Sequence, residues 1–246
     1  PLIELVITVD EEVGMNGARG LDTSVLKAKR LINLDSEEEG IFLSGCAGGA
    51  RVNVNFPFEK KEKKGFLCEV GIRGLQGGHS GEEIHRERGN AISLLGRLLS
   101  HMGKELEICV VNLKGGVADN AIPSFAKAEI LVTAYEDGSG TTTIVSDSVF
   151  EKECRKRLME TCQRLEKELL EGLTDKDEGV KIDFSFNEMR KMEAIGEALS
   201  RRIIYLLYTL PNGVQAMSSA MPGLVETSLN PGILSMSEDE VHVGIS

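Results

Sequence analysis

Residues able to do chemistry gather at three places in the sequence. The first is Thr8-Val9-Asp10-Glu11-Glu12-Val13-Gly14, where an apolar run over residues 2–9 stops and acidic residues follow at once. The second is Asp35-Ser36-Glu37-Glu38-Glu39-Gly40, directly after the short apolar stretch Leu31-Ile32-Asn33-Leu34. Both apolar stretches read as buried strands, and in open α/β sheets ligands bind just beyond the carboxyl ends of strands. With parallel strands and a crossover helix over residues 23–30, capped by Asp22, both acidic clusters stand on one rim of one sheet. Adjacent glutamates suit a divided task there. One binds a metal ion, and the other takes a proton from metal-bound water, whose pKa falls to about 7. Taken alone, Asp10-Glu11-Glu12 is more simply a solvated acidic turn; the second acidic strand end is what favours a metal site. In that second cluster Asp35 lies nearest the strand, and Glu37, Glu38 and Glu39 read as solvated.

The third place is the glycine-rich turn Gly74-Leu75-Gln76-Gly77-Gly78-His79-Ser80-Gly81. His79 has no packing reason to sit between Gly78 and Ser80, and an imidazole there can present an N–H to a developing oxyanion. The plainer alternative is an ordinary loop histidine. Of the other histidines, His101 ends an apolar helical stripe and reads as structural, His242 alternates with Val241 and Val243 on a solvated face, and His85 is unassigned. The turn lacks the Gly-x-x-x-x-Gly-Lys pattern of a phosphate loop. The chain has no Gly-x-Ser-x-Gly elbow, which disfavours serine hydrolysis.

Composition narrows the class. The chain has 246 residues, 41% of them hydrophobic, enough for one large or two small domains with a real core. A net charge of -11, with 4% aromatic residues and no Trp, argues against nucleic acid or an anionic membrane as partner. The five cysteines form no Cys-x-x-Cys pair, so they read as mostly buried thiols in a reducing, cytoplasmic setting. No apolar run reaches membrane-spanning length. A strand starting almost at Pro1, with no initiator Met, reads as a piece cut from a longer chain.

The elements that position these residues change character near Gly48-Gly49. Before it the apolar runs are continuous, as in strands covered on both faces, with a third short strand over residues 41–43. After it they alternate. Val52, Val54 and Phe56, then Phe66, Cys68, Val70 and Ile72, mark strands with one solvated face, and the charged run over residues 59–64 between them reads as a hairpin loop or solvated face. Ala91, Leu94, Leu95, Leu98, Leu99 and Met102 form the apolar stripe of a helix. Strands are expected over residues 106–113 and 126–134, a Gly/Ser/Thr loop over 137–143, and a long charged helix over 151–173 with Cys154, Leu158, Cys162, Leu165 and Leu169 on its apolar face. A strand over residues 180–186, a helix striped by Ile195, Leu199, Ile203 and Leu206, and strands over 224–229, 233–236 and 241–245 complete the pattern. This is an α+β layer, a mainly antiparallel sheet with helices on one face, and the boundary divides the chain into residues 1–48 and 49–246.

Taken together, these segments resemble the dinuclear zinc exopeptidases of metallopeptidase family 20, within them the aminoacyl-histidine (Xaa-His, cytosol nonspecific) dipeptidases. The resemblance rests on the two acidic segments and the glycine-rich turn, with Gly45-Cys46-Ala47-Gly48-Gly49, Glu83-Ile84-His85 and Asn120-Ala121-Ile122-Pro123. It continues through Pro211-Asn212-Gly213-Val214 and Gly223-Leu224-Val225-Glu226-Thr227-Ser228-Leu229-Asn230. It implies part of an α/β catalytic domain over residues 1–48, followed by a large lid and dimerisation domain over 49–246. It implies Glu11 as the general base, Glu12 and Asp35 as ligands of the two zinc ions (other divalent metals being possible), His79 as the lid histidine that reaches across a homodimer to the partner's active site, and Asn120 as a substrate contact.

What the resemblance implies is hydrolysis of short peptides such as Xaa-His by metal-activated water. An N-acyl amino acid amidohydrolase of the same family, or a non-catalytic dimerisation module, are the alternatives. The family's His-x-Asp zinc motif, the bridging Asp after it and the last zinc-binding His have no match here. The isolated chain is therefore expected to bind zinc weakly and to be inactive, and residues 1–48 to leave apolar strand faces bare.

Overall fold

The structure is a computed structural model that describes residues 3–11, 14–34, 39–42, 45–135, 147–172, 177 and 179–246. It divides into two compact units, Pro1–Ala47 and Gly48–Ser246.

Among the described residues of the first unit the expected strands are not formed. Its described residues hold only a short helix α1 (Asn16–Arg19) and a 3-10 turn (Thr23–Val25). Ile3, Leu5 and Ile7 are 87%, 81% and 83% exposed, and Leu31, Ile32 and Leu34 are exposed as well. The reason is cooperative: a strand is held by its cross-strand partners, and β propensity alone supplies none. The segment closes on itself by other means. The Glu4 carboxylate accepts from Lys27 N (2.9 Å) and Ala28 N (2.5 Å), and Gly17 N donates to Val9 O (3.1 Å). The crossover helix shrinks to the 3-10 turn, although Asp22 does cap it, accepting from Ser24 N at 2.9 Å. The exposed apolar side chains of this segment do not make the bare strand faces expected of it, because no strand is formed among its described residues.

The second unit is a mixed α and β fold built on one seven-stranded sheet. Its strands are β1 (Val52–Pro57), β2 (Lys60–Arg73), β4 (Leu106–Gly115), β6 (Ala126–Tyr135), β7 (Lys181–Ile195), β10 (Pro231–Met236) and β11 (Glu240–Ile245). They lie in the order β1-β11-β10-β4-β6-β2-β7. Two strand pairs stand apart from it, β3 (Gly78–His79) with β5 (Ala121–Ile122) and β8 (Gly213–Met217) with β9 (Val225–Leu229). All pairings among the described residues are antiparallel.

Helices α2 (Ala91–Met102), α3 (Asp147–Gly172) and α4 (Glu197–Thr209) share one core with the sheet. Alternation puts Phe66, Cys68, Val70 and Ile72 of β2 into that core, against Leu95, Leu98, Leu99 and Met102 of α2. Burying each such side chain contributes about 1.5–3 kcal/mol. On α3, Cys162 and Leu165 are buried; Cys154, Leu158 and Leu169 lie outside the described side chains, as does the loop over residues 137–143. The opposite sheet face carries a smaller cluster, Leu67, Cys109, Val111, Leu131 and Ala194, made of strand residues alone. Burial pushes the Cys68 and Cys109 thiols up to about 12, which makes them inert.

Two expectations give way here. The charged run over residues 59–64 is no hairpin loop. β1 pairs with β11, while residues 60–65 belong to β2 and pair with residues 190–195 of β7, beyond the reach of β6. Charged residues tolerate this strand because the protruding arm is solvated and paired: Lys63 Nζ meets Glu197 Oε1 at 2.8 Å and Lys191 Nζ meets Glu62 Oε1 at 2.9 Å. Ile195 accordingly ends β7, and helix α4 starts at Glu197.

Candidate functional site

The glycine-rich turn links the end of β2 to α2, and buried charges hold it. The Asp177 carboxylate, fully buried, accepts from Gln76 N (2.9 Å) and from Gly89 N (2.7 Å), so one side chain pins the segment at both ends. Within it Arg88, also buried, donates to Gly77 O and to both Glu83 oxygens, at 2.8 and 3.1 Å. Glu83 Oε2 accepts His79 N–H as well, at 3.0 Å. That backbone N–H first, and the Arg88 guanidinium second, hold the Glu83 carboxyl below the usual carboxylate range. Gly78 has to be glycine: at φ 143° a Cβ would run into both Arg88 and Glu83.

The turn is fastened to a distant loop. Gly78 and His79 of β3 pair with Ile122 and Ala121 of β5, and Ser80 N donates to Asn120 O at 2.8 Å. His79 and Asn120, far apart in sequence, are thereby neighbours, and both are exposed. His79 Nδ1 accepts from Gly81 N (3.1 Å) and Glu82 N (3.2 Å). An accepting Nδ1 places the proton of a neutral imidazole on Nε2, so the outward nitrogen is a hydrogen-bond donor. An imidazole that donates from Nε2 is a group able to stabilise negative charge on a peptide oxygen, and the backbone pairing brings the exposed Asn120 to the neighbouring strand.

The remaining predicted residues are not brought to this pair by any described contact. Glu11 is exposed in the first unit, in a turn where its carbonyl accepts from Gly14 N (3.3 Å) and Met15 N (3.1 Å). Glu12 and Asp35 lie outside the described residues. Among the described residues no three His, Cys, Asp or Glu side chains gather to hold a metal ion.

His101 sits in the last turn of α2, its imidazole held below the ordinary histidine value by burial and then by Lys104, Arg164 and Arg97. Nδ1 of His242 lies 2.8 Å from Asn55 Oδ1 across the β1–β11 pair. His85 is exposed in the 3-10 turn Ile84–Arg86. Sequence reasoning gave no role to Glu83, Arg88 or Asp177. Glu83 and Arg88 at least stand close to His79 in the chain, whereas Asp177 is one of several acids after a helix, and its partners come from another part of the sequence.

Comparison with known proteins bears on the same region. Residues 70–137, which run from β2 through His79 and Asn120 to the end of β6, match the M20 peptidase dimerisation domain. Over 98% of its length the chain is 38% identical to the cytosol non-specific dipeptidase of Escherichia coli, covering 46% of that protein. Its fold matches the crystal structure of aminoacylhistidine dipeptidase from Vibrio alginolyticus with a TM-score of 0.70 and 32% identity, over 97% of this chain and 45% of that one. The chain thus spans about half the length of the relatives it matches. Helices long and apolar enough to cross a membrane are absent among the described residues. Residues 70–137 thus resemble the M20 peptidase dimerisation domain, within a chain that is similar over nearly its whole length to a cytosol non-specific dipeptidase and to an aminoacylhistidine dipeptidase.

Proposed function

We propose that this chain serves a cytoplasmic dipeptidase that cleaves short peptides, Xaa-His among them. In this reading the second unit is its lid and its homodimerisation surface. The observation that carries the reading is exposed His79, whose Nδ1 accepts from Gly81 N and whose strand pairs with the segment next to Asn120, within residues that match the dimerisation domain. His79 donates to the oxygen that gains charge as the peptide carbonyl becomes tetrahedral, and Asn120 holds the substrate. A donor fixed before reaction spares the reorganisation that a mobile one needs, and removal of one such donor elsewhere costs about 10²–10³ in kcat. Glu11 as general base, with Glu12 and Asp35 as zinc ligands, is what the resemblance to the zinc exopeptidases supports. Bound metal would polarise the carbonyl and activate water there.

The test uses the full-length protein that contains this chain. His79→Ala is expected to lower kcat for dipeptides by about 10²–10³-fold with the dimer intact in sedimentation. If His79 acts across the dimer, coexpressing His79→Ala with Glu11→Gln restores part of the activity, because mixed dimers hold one site with both residues. Activity that stays absent in the mixture defeats the cross-dimer role. A dimer that cleaves no dipeptide but does cleave N-acyl amino acids makes the protein an amidohydrolase, and one that cleaves neither makes it a dimerisation module.

A further inference from the structure

The loop that carries Asn120 joins β4 to β5 and has little regular hydrogen bonding of its own. It is held from outside by Asn230, the residue between β9 and β10, which is only 1% exposed. Nδ2 of Asn230 donates to Asp119 O at 3.1 Å and to Ala121 O at 2.9 Å, the carbonyls immediately before and after Asn120. Its Oδ1 accepts from Asn90 Nδ2 at 3.1 Å, and its backbone N–H and C=O are exchanged with those of Ser246, at 2.8 and 3.0 Å. Every polar group of the residue is therefore used. The amide can face only this way, because its two hydrogens meet two carbonyls and its oxygen meets a donor.

Neighbouring contacts act on the same loop. Ser246 Oγ donates to Asp119 O at 2.8 Å, and Arg51 pairs with the Asp119 carboxylate. Gly232 lies so close to the loop that a Cβ there would come within 2.6 Å of Asp119 O. Asn90 ties the clamp to the core, since its Oδ1 caps α2 by accepting from Ile92 N (3.0 Å) and Ser93 N (3.2 Å).

We propose that Asn230 is a positioning residue for Asn120: it holds the carbonyls of the residues on either side of Asn120, Asp119 and Ala121, so that the exposed carboxamide is aimed before substrate arrives. The proposal deepens the reading above and rests on Asn120 contacting substrate. A fixed loop spends no binding energy on ordering itself, so loosening it raises KM before it touches kcat.

The test is Asn230→Asp in the full-length protein, which keeps the shape and turns a donating amide into an oxygen facing two carbonyls. KM for a dipeptide is expected to rise about tenfold or more, since both hydrogen bonds donated by the amide are lost, with kcat within about twofold. Amide hydrogen exchange at Ser80 and Ala121 is expected to quicken, while exchange at Leu98 and Leu99 in α2 stays unchanged. Asn120→Ala and the double variant are expected to share one kcat/KM, because the two residues act as one unit.

A fall in kcat at constant KM, unchanged exchange at Ser80, or losses that multiply in the double variant overturns the proposal. If Asn230→Asp does not fold, Ser246→Ala removes one donor from the same Asp119 carbonyl; the expected result is a smaller rise in KM with faster exchange at Ser80, and no change in either overturns the proposal. If Asn120→Ala leaves KM unchanged, the substrate role of Asn120 fails, and exchange at Ser80 in Asn230→Asp decides the clamp independently.

Discussion

The two units contain the same kinds of apolar residue and treat them in opposite ways. Ile7 in the first is 83% exposed; Ile72 in the second is 1% exposed. Described residues 3–9 are as apolar as residues 66–72, yet only the latter form a strand. The difference is the partner. Residues 66–72 of β2 lie between β6 and β7 and beneath α2, so hydrogen bonding, cross-strand packing and burial come together. Described residues 3–9 have no strand beside them. Apolar character is thus a demand for cover, and the sheet exists where the demand is met.

The sharpest way to test that contrast is to remove cover where it is present. Leu99→Ala, at a site 0% exposed, is expected to destabilise the second unit by about 2–5 kcal/mol in urea unfolding. A smaller effect comes from crowding instead of emptying. A Cβ on Gly96 would meet the Leu207 backbone at 2.6 Å, where α2 crosses α4. Gly96→Ala is therefore expected to cost about 1–3 kcal/mol, despite the better helix propensity of alanine.

Acid acts on the site more gently. The folded-state pKa of Glu83 lies below its ordinary 4.5, so its stabilisation is complete above that value and fades as pH falls through the folded value. Exchange of the His79 amide, which Glu83 accepts, is expected to lose protection across that window, and Glu83→Gln to abolish the pH dependence. The smallest effect belongs to the first unit. Ile7→Ser is expected to change the stability of this chain by no more than about 0.5 kcal/mol. A loss comparable with that of Leu99→Ala would end the contrast.

The second unit was largely legible because its signals are local. The stripe of α2 follows from Ala91, Leu95, Leu98, Leu99 and Met102, all buried, with Leu94 at the margin. β4, β6, β10 and β11 follow from alternation and turns. What misled was also local. The run Lys60-Lys61-Glu62-Lys63-Lys64 looks like a loop until β7 is placed beside it, and β8 has no alternation to betray it. In the first unit the opposite happened, and strong strand signals met no strand.

For the candidate site, the sequence by itself determined that His79 lies in a glycine turn and that Asn120 lies in a loop before Ile122-Pro123. It also determined a charge of -11 and the resemblance that joins these residues to one family. Only the tertiary structure decided that the strand of His79 and the segment next to Asn120 are neighbours, and that Asp177 and Asn230 hold the two loops. The last of these depends on hydrogen bonds that span about a hundred residues of chain, from Gln76 to Asp177 and from Asn230 to Asp119 and Ala121. A buried carboxylate or carboxamide takes whichever donors and acceptors the fold brings to it, and no local pattern names them in advance.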